Sequence, residues 1–489
     1  MIINLQKLTA LFPFLVLILA LVIVMLSISY NRNHFFVATS TVLSLIVSFV
    51  SLYFLIKIVP IDINNLFYIT RYSILYIGMI IISSFSTCIF AYFWLLHYPF
   101  NKEEFYLLIL LSTLGAIALS ISSNMLSLFI SMELMSLPYL GLIAYAHYQK
   151  YSLETSFKYL VLSGVTSSFL LLGISWIYAV TGNLSISSIN SVFNNPSSTN
   201  FLIIFFGTTM ILMSFLFKLS LVPFHLWISD IYRRTSSPVL TFFSVSSKIA
   251  IFSFLLYFFS YPSILNNKKL TLIILLISIF SIFFGNIMAL FQKNIKKFFG
   301  YSSISQMGYL LIIFLVTKND YHFSLEAGGI YLLSYLLSGT VYFGVINLIS
   351  NYYNRNHLCE EIYSIDAYKG LFWSQPLLSS IMIITCLSLA GMPMTLGFWG
   401  KLYILSIIIK NHLWPLIFLF FIGTIIGFLG YLRVIINFYL TPLKSVNCIN
   451  DINIPYNWYY HPSGIIILFF SIIILFLGIC PNLWIFLTK

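Results

Sequence analysis

Five ionisable side chains stand inside long apolar runs of this sequence: Glu133 in SMELMSLPYL, Lys158 in ETSFKYLVL, Lys218 in LFKLSLVPFHLW, Lys248 in FFSVSSKIAIF and Lys401 in GFWGKLYIL. The other acids, and all but four of the 24 Lys and Arg residues, fall in loops or at helix ends. An ion at the centre of a helix in hydrocarbon costs about 2.5–3.5 kcal/mol on insertion scales, so such residues persist where they pair, hydrate or work. Burial disfavours the charged form of a carboxyl and of an ammonium alike, while each favours the charge on the other. The chemistry on offer is therefore reversible proton binding. His225, two residues beyond Pro223, adds an imidazole that either relays protons or hydrogen-bonds a broken backbone.

Position separates these residues. Glu133 lies too deep for its short side chain to reach water, so it pairs or is protonated, and a static ion pair between helices is the alternative to a working one. Lys158 is its natural partner in sequence order, but it follows Glu154 and Ser156 near a span end, where snorkelling competes with an inward orientation. Lys218 precedes Pro223, where freed carbonyls and water can solvate an ammonium. Lys248 is central in an uninterrupted run beside Ser244, Ser246 and Ser247. Lys401 follows Pro393 and is interfacial if the second half-helix is short.

What must hold these residues is a bundle of membrane helices. Of 489 residues 60% are hydrophobic and 7% charged, against about 25% charged in a soluble domain. Neither an aqueous surface nor a disordered chain can be made from that composition. The apolar runs are long and continuous rather than alternating, which selects helices over strands. Fourteen runs are expected to span, near 8–30, 35–59, 73–98, 104–122, 123–147, 155–180, 201–228, 238–261, 269–290, 295–316, 328–350, 377–409, 413–440 and 463–486. The first run, Leu8 to Ile28, is too long for a signal-peptide core and is expected to stay in the mature chain. Pro223 and Pro393 interrupt two runs, predicting broken helices. Leu-Ser-Leu precedes each break (Leu219-Ser220-Leu221, Leu387-Ser388-Leu389) and a Trp follows each (Trp227, Trp399), which suggests a repeat. The expected domains are a three-helix segment (1–100), a five-helix repeat (101–262), a second five-helix repeat inverted by the odd span count (266–442), and a terminal span (460–489). Two opposed broken helices of this kind line ion pathways near the midplane of transporters.

Charge placement sets the sides: five of the six arginines fall on one face of the alternating loops, which becomes the inner side and puts both termini outside. The net charge of +12 is thus topogenic, nucleic acid is not an expected partner, and the Lys293/Lys296/Lys297 cluster reads most simply as an inner-face loop. The tenth run (Tyr301 to Gln306) and the eleventh (Tyr331, Ser334, Ser338, Thr340) carry hydroxyls without charge, so water must bridge there if protons pass. Cys88, Cys359, Cys386, Cys448 and Cys480 are scattered, without a CxxC or Cys/His pattern, and are read as packing residues. Neither a strand-linked GxGxxG nor a GxxxxGK[ST] occurs, so any redox chemistry belongs elsewhere. The abundance of Phe, Ile, Asn and Tyr, with Lys above Arg, fits A+T-rich coding and an organelle-encoded chain.

The segments ISMELMSLPYLGL, FKYLVLSG, FKLSLVPFHLWISDIY, SSKIAIF, GNIMALFQKNIKKFFGYSSISQMGYLL and LSLAGMPMTLGFWGKLY together resemble the antiporter-like membrane-arm subunits of NADH-ubiquinone oxidoreductase (respiratory complex I), specifically over residues 100–440. The Lys in Gly400-Lys401-Leu402-Tyr403 is similar to the chain 2 branch, since a sibling branch usually carries an acid there. The resemblance implies fourteen helices, two inverted repeats, broken helices seven and twelve, and proton transfer through Glu133, Lys158, Lys218, Lys248 and Lys401 beside His225. It implies no cofactor in this chain, with NADH, flavin, iron-sulfur clusters and ubiquinone in partner subunits. Its implied partners are other membrane-arm subunits, related antiporter-like chains among them, and lipids. It places the chain in the mitochondrial inner membrane with both termini on the intermembrane-space side, the alternative being a bacterial plasma membrane. The sequence departs from the pattern where Tyr232 is followed by Arg233-Arg234 rather than an acidic turn, which bears on loop contacts. Two other functions share the fold: an Mrp-type cation/proton antiporter, and a structural arm subunit whose ions are static pairs.

Overall fold

The computed structural model describes residues 5–147, 151–194, 198–261, 267–317, 320–353, 363–441 and 458–480. Cys359 and Cys448, and the topogenic Lys150, Lys318, Arg355, Lys444 and Lys489, lie outside the described residues. The apolar runs form helices α1 (Phe12–Tyr30), α2 (His34–Ile56), α3 (Arg71–Leu96), α4 (Glu104–Ser120), α5 (Met125–Ala144), α6 (Ser152–Thr181), α7 (Ser198–Lys218) and α8 (Leu226–Arg234). They continue as α9 (Ser237–Phe258), α10 (Lys268–Phe291), α11 (Ile295–Phe314), α12 (Tyr321–Tyr353), α13 (Pro376–Ala390), α14 (Leu396–Lys410), α15 (Trp414–Tyr439) and α16 (Pro462–Ile479). A small antiparallel hairpin, β1 (Ile61–Ile63) and β2 (Phe67–Ile69), lies in the connection from α2 to α3.

Among the described residues eleven helices are long and apolar enough to cross a membrane, while α4 and α13 are apolar but shorter. The fold is an all-α membrane architecture. Helix starts follow local chemistry: Asn33 and Asn294 accept from backbone N–H groups of the first turn, and Thr70 with Ser73 and Asn124 with Ser127 form capping boxes.

Both expected breaks are present. The chain leaves helix after Lys218 and re-enters it at Leu226, with Ser220 left-handed at φ +59. It leaves again after Ala390 and re-enters at Leu396, with Gly391 at φ +80 and Met394 at φ +70. A third proline behaves differently. Pro138 sits inside α5, which continues through it, and its missing N–H deprives the Leu134 carbonyl, next to Glu133, of its helical donor.

Contacts divide the chain into two compact units. One comprises Met1–Ser220, Val245–Ile274 and Thr317–Tyr321; the other comprises Leu221–Ser244, Leu275–Val316 and His322–Lys489. In the first unit, glycines replace side chains where helices cross, as expected where apolar burial alone gives no preference for helix over lipid. A Cβ on Gly115 of α4 would lie 2.7 Å from the Leu134 carbonyl carbon of α5. One on Gly173 of α6 would lie 2.7 Å from the Gly207 oxygen of α7, and one on Gly207 would lie 3.0 Å from the Gly173 oxygen. Gly207→Leu should overpack this crossing at a cost of about 1–3 kcal/mol or more. We expect it to lower the membrane level of the subunit several-fold in an immunoblot, whereas Gly164→Ala, whose Cβ meets nothing within 4 Å, leaves the level unchanged. Equal levels would show that the crossing is not tight.

In the second unit α16 closes the second break. A Cβ on Gly478 would collide with the Met394 carbonyl, and Trp399 Nε1 donates to the Gly478 oxygen at 2.7 Å. Cys88 and Cys386 are buried packing residues, and Cys480 is exposed.

Candidate functional site

In the first unit the site is built on α5, α6, α7 and α9. Lys218 ends α7, so its ammonium sits where the helix dipole and last carbonyls are negative. It is 8% exposed, and its Nζ has no hydrogen-bond partner among the described residues. Two groups face it: the ring of Tyr159, whose centroid is 5.5 Å from Nζ, and Glu133, the acid that acts on it electrostatically. A ring face stabilises a cation without accepting its proton. Glu133, partly buried, accepts a long hydrogen bond from Ser136 on its own helix (3.4 Å). Lys248 is 2% exposed. Two positions before it, Ser246 shares a 2.9 Å hydrogen bond with Tyr139 of α5, tying the helix of Lys248 to that of Glu133.

Lys158 is placed otherwise than its sequence order suggests. Its ion pair is with Glu154, one turn back on α6, at 2.8 Å, and both side chains are about half exposed (48% and 46%). The reason is helical phase. The buried stripe of α6 runs Ser152, Thr155, Tyr159, Ser163, Thr166 and Leu170, and one residue turns 100°. Tyr159 therefore points inward and its neighbour Lys158 outward. Glu133 acts electrostatically on Lys218, and the Tyr159 ring lies over the Lys218 ammonium. Tyr159 was missed in the sequence, yet the period of hydroxyl-bearing residues on α6 marks it.

The second unit holds Lys401 and His225. The last four carbonyls of α13 are accounted for one by one. The Leu387 and Ser388 oxygens accept from the N–H groups of Met392 and Gly391 (both 3.0 Å) in a Schellman arrangement. The Leu389 oxygen accepts from Gln306 Nε2 at 3.1 Å, and the Ala390 oxygen from Lys401 Nζ at 2.7 Å. Lys401 thus turns back from α14 onto the broken end of α13, with the Tyr309 ring centroid 5.4 Å from its Nζ. It is not interfacial: the side chain folds inward over Gly391, where a Cβ would stand 2.6 Å from Lys401 Cδ. Gln306 is itself held by the Tyr331 hydroxyl, which donates to Oε1, and lies 3.3 Å from the Tyr431 hydroxyl.

Gln306, Tyr331, Ser334, Ser338, Ser388 and Lys401 line a cavity in which a water centre has ≈ 10 Å³ to move, about one molecule's worth. The uncharged hydroxyl runs of the sequence therefore meet at Lys401, where a bridging water was expected. His225 is 6% exposed with its ring 4.3 Å from that of Phe284, and its Nδ1 has no hydrogen-bond partner among the described residues.

One cluster member corrects the sequence reading. Lys293 is exposed as a loop lysine should be, but Lys296 is 1% exposed and donates to the Thr235 oxygen at 2.9 Å. It is not a topogenic side chain, because its stem enters the bundle from the first turn of α11.

Buried lysines at the ends of interrupted apolar helices, one acted on by an acid and one facing a water-sized polar cavity, mark a polytopic membrane protein that keeps ionisable groups inside its helix bundle. Residues 122–427 match the family model described as NADH:quinone oxidoreductase/Mrp antiporter, TM. NADH-quinone oxidoreductase subunit N of Buchnera aphidicola subsp. Schizaphis graminum (strain Sg) is 65% identical over 483 residues, 99% of this chain and 98% of that protein. A chain of respiratory complex I from Thermus thermophilus with bound Aureothin has the same fold at a TM-score of 0.78, with 24% identity, covering 96% of this chain and 98% of that one. A chain of the Mrp complex from Dietzia sp. DQ12-45-1b matches at a TM-score of 0.82 with 17% identity, over 99% of this chain and 96% of that one. The chain belongs to the NADH:quinone oxidoreductase/Mrp antiporter transmembrane family, among the NADH-quinone oxidoreductase N subunits. This relative is bacterial, so the mitochondrial expectation is not upheld. Coding bias reflects nucleotide composition and is not specific to organelles.

Proposed function

We propose that this chain is a proton-translocating membrane subunit of an NADH:quinone oxidoreductase in a bacterial plasma membrane, with both termini on the outer side. Quinone reduction in neighbouring subunits drives it. The observation that carries this reading is Lys218, buried at a broken helix end without a hydrogen-bond partner among the described residues and acted on by Glu133. A change of field or conformation from a neighbouring subunit alters the Glu133–Lys218 interaction and so the proton affinity of the lysine. Lys248 and then Lys401, with its water-sized cavity, carry the proton onward, and His225 stands beside the first break as a further relay. Lys158, paired with Glu154 on an outward face, receives its input from whatever covers α6 in the assembled membrane arm.

The alternative is an Mrp-type cation/proton antiporter, which fits the fold shared with a chain of the Mrp complex. The N-subunit relationship favours membrane-arm partners, related antiporter-like chains and lipids around this chain, with NADH, flavin, iron-sulfur clusters and ubiquinone held by other subunits. Two results are expected. On a native gel the chain runs in a large band with NADH dehydrogenase activity, and the purified chain alone neither binds nor oxidises NADH, because it has no dinucleotide motif. A fully active population running as free monomer would favour the antiporter, and NADH binding by the isolated chain would refute the assignment of redox chemistry to partners.

A further inference from the structure

Three lysines in this molecule sit at the C-terminal ends of the interrupted helices: Lys218 on α7, Lys401 on the Ala390 oxygen of α13, and Lys296 on the Thr235 oxygen that closes α8. Only the first two have a role so far. We propose that Lys296 is a positioning residue of the proton path, fixing the end of α8 to α11 so that α11 sets the broken end of α13 on which Lys401 rests. The proposal depends on the proton-transfer reading above.

The geometry within the second unit is specific. Thr235 caps α8, and its oxygen takes the Lys296 ammonium at 2.9 Å, while the ring of Tyr363 lies over the same ammonium with its centroid at 3.6 Å. Tyr363 is brought there by the Ile365 N–H, which donates to the Lys293 oxygen at 2.7 Å, and by a bridge between Asn294 and Ser364. One turn along α11, Gly300 leaves room for the buried Tyr232 of α8, whose ring a Cβ would approach to 3.2 Å. Lys296 and Gly300 thus hold α8 against one side of α11. Gln306, ten residues beyond Lys296 and so about 15 Å along the helix, donates from another side to the Leu389 oxygen, adjacent to the Ala390 oxygen that binds Lys401. A buried ammonium on a neutral carbonyl and a ring is costly to keep for topology, since an exposed lysine such as Lys293 serves that end. Its physical effect is to clamp a helix end that has lost its own donors.

Arg separates positioning from proton carriage, because guanidinium donates to a carbonyl and stacks on a ring but does not release its proton. In the assembled complex, Lys296→Met is expected to lower protons pumped per electron about two-fold or more at normal complex content, with Lys296→Arg near wild type and Lys293→Met unchanged. Lys296→Met and Gln306→Leu should be non-additive. If Lys296→Met fails to assemble, Tyr363→Leu takes its place, expected to lower the same ratio while Tyr363→Phe does not. The proposal is overturned by a normal ratio in Lys296→Met, by Lys296→Arg as impaired as Met, by additivity with Gln306→Leu, or by Tyr363→Leu matching Tyr363→Phe. Lys218→Met, measured in parallel, keeps the two readings apart. Full pumping there sinks the proton-transfer reading, whereas lost pumping there with a normal ratio in Lys296→Met sinks only this inference.

Discussion

Lys218→Met, in membranes containing the assembled complex, is expected to lower NADH:quinone turnover and coupled proton uptake together, about tenfold or more, on the scale of losing a positioned proton-transfer group. The ammonium is buried at the end of α7 without a hydrogen-bond partner among the described residues, so Met fills its volume while removing only the titratable group. A coupled machine that cannot load its proton stalls the driving reaction as well. Glu133 is the acid acting on Lys218, so Glu133→Gln and Lys218→Met should be far from additive, while Glu133→Asp keeps the charge and most of the activity. Proton uptake by dye quenching in inverted vesicles, normalised to complex content on a native gel, measures all of these. Unchanged rate and proton-to-electron ratio in Lys218→Met would end the relay role, and strict additivity with Glu133→Gln would show that the two residues act independently.

Gly391→Ala is expected to impair pumping about as severely as Lys401→Met. Gly391 has φ +80, a left-handed conformation that costs a residue with a Cβ about 1–2 kcal/mol. Here the added atom also strikes Lys401, at 2.6 Å from Cδ and 3.3 Å from Nζ. The lysine must leave the Ala390 oxygen or the Schellman turn must open, and either change unmakes the lining of the cavity. The test is the double variant: Gly391→Ala with Lys401→Met should pump no worse than Lys401→Met alone, because the clash vanishes with the side chain. Wild-type pumping in Gly391→Ala, or a double variant far worse than Lys401→Met, would show that the close approach of Gly391 and Lys401 is not what matters.

The class of the molecule, the positions of its helices and both breaks were written in the sequence, for a simple reason. Apolar run length and proline are local properties that the bilayer enforces on every segment separately. The same holds for Lys218 and Lys248, which are buried where the sequence places them, whereas Lys158 is half exposed and Lys296 is buried against the sequence reading. Local reading went wrong where a residue's direction, rather than its depth, decided the outcome. Lys158 and Tyr159 are neighbours in sequence, but one faces Glu154 in the open and the other faces Lys218 in the interior. The choice between them is made by which stripe of α6 is packed. Lys296 looked like one of three loop lysines until the end of α8 was brought to it from Thr235.

Sequence alone picked out Glu133, Lys158, Lys218, Lys248 and Lys401 as the acid and the lysines that stand inside long apolar runs, because charge in such a run is conspicuous without any knowledge of packing. Tertiary structure alone decided which groups meet: the Tyr159 ring over Lys218 with Glu133 acting on it, Lys401 on the Ala390 oxygen, Gln306 on the Leu389 oxygen. Those interactions join residues up to 85 positions apart in the chain, between Glu133 and Lys218. For Lys401 and Gln306 the physical cause is the pair of orphan carbonyls at the broken end of α13, which must be satisfied by donors that only packing can deliver.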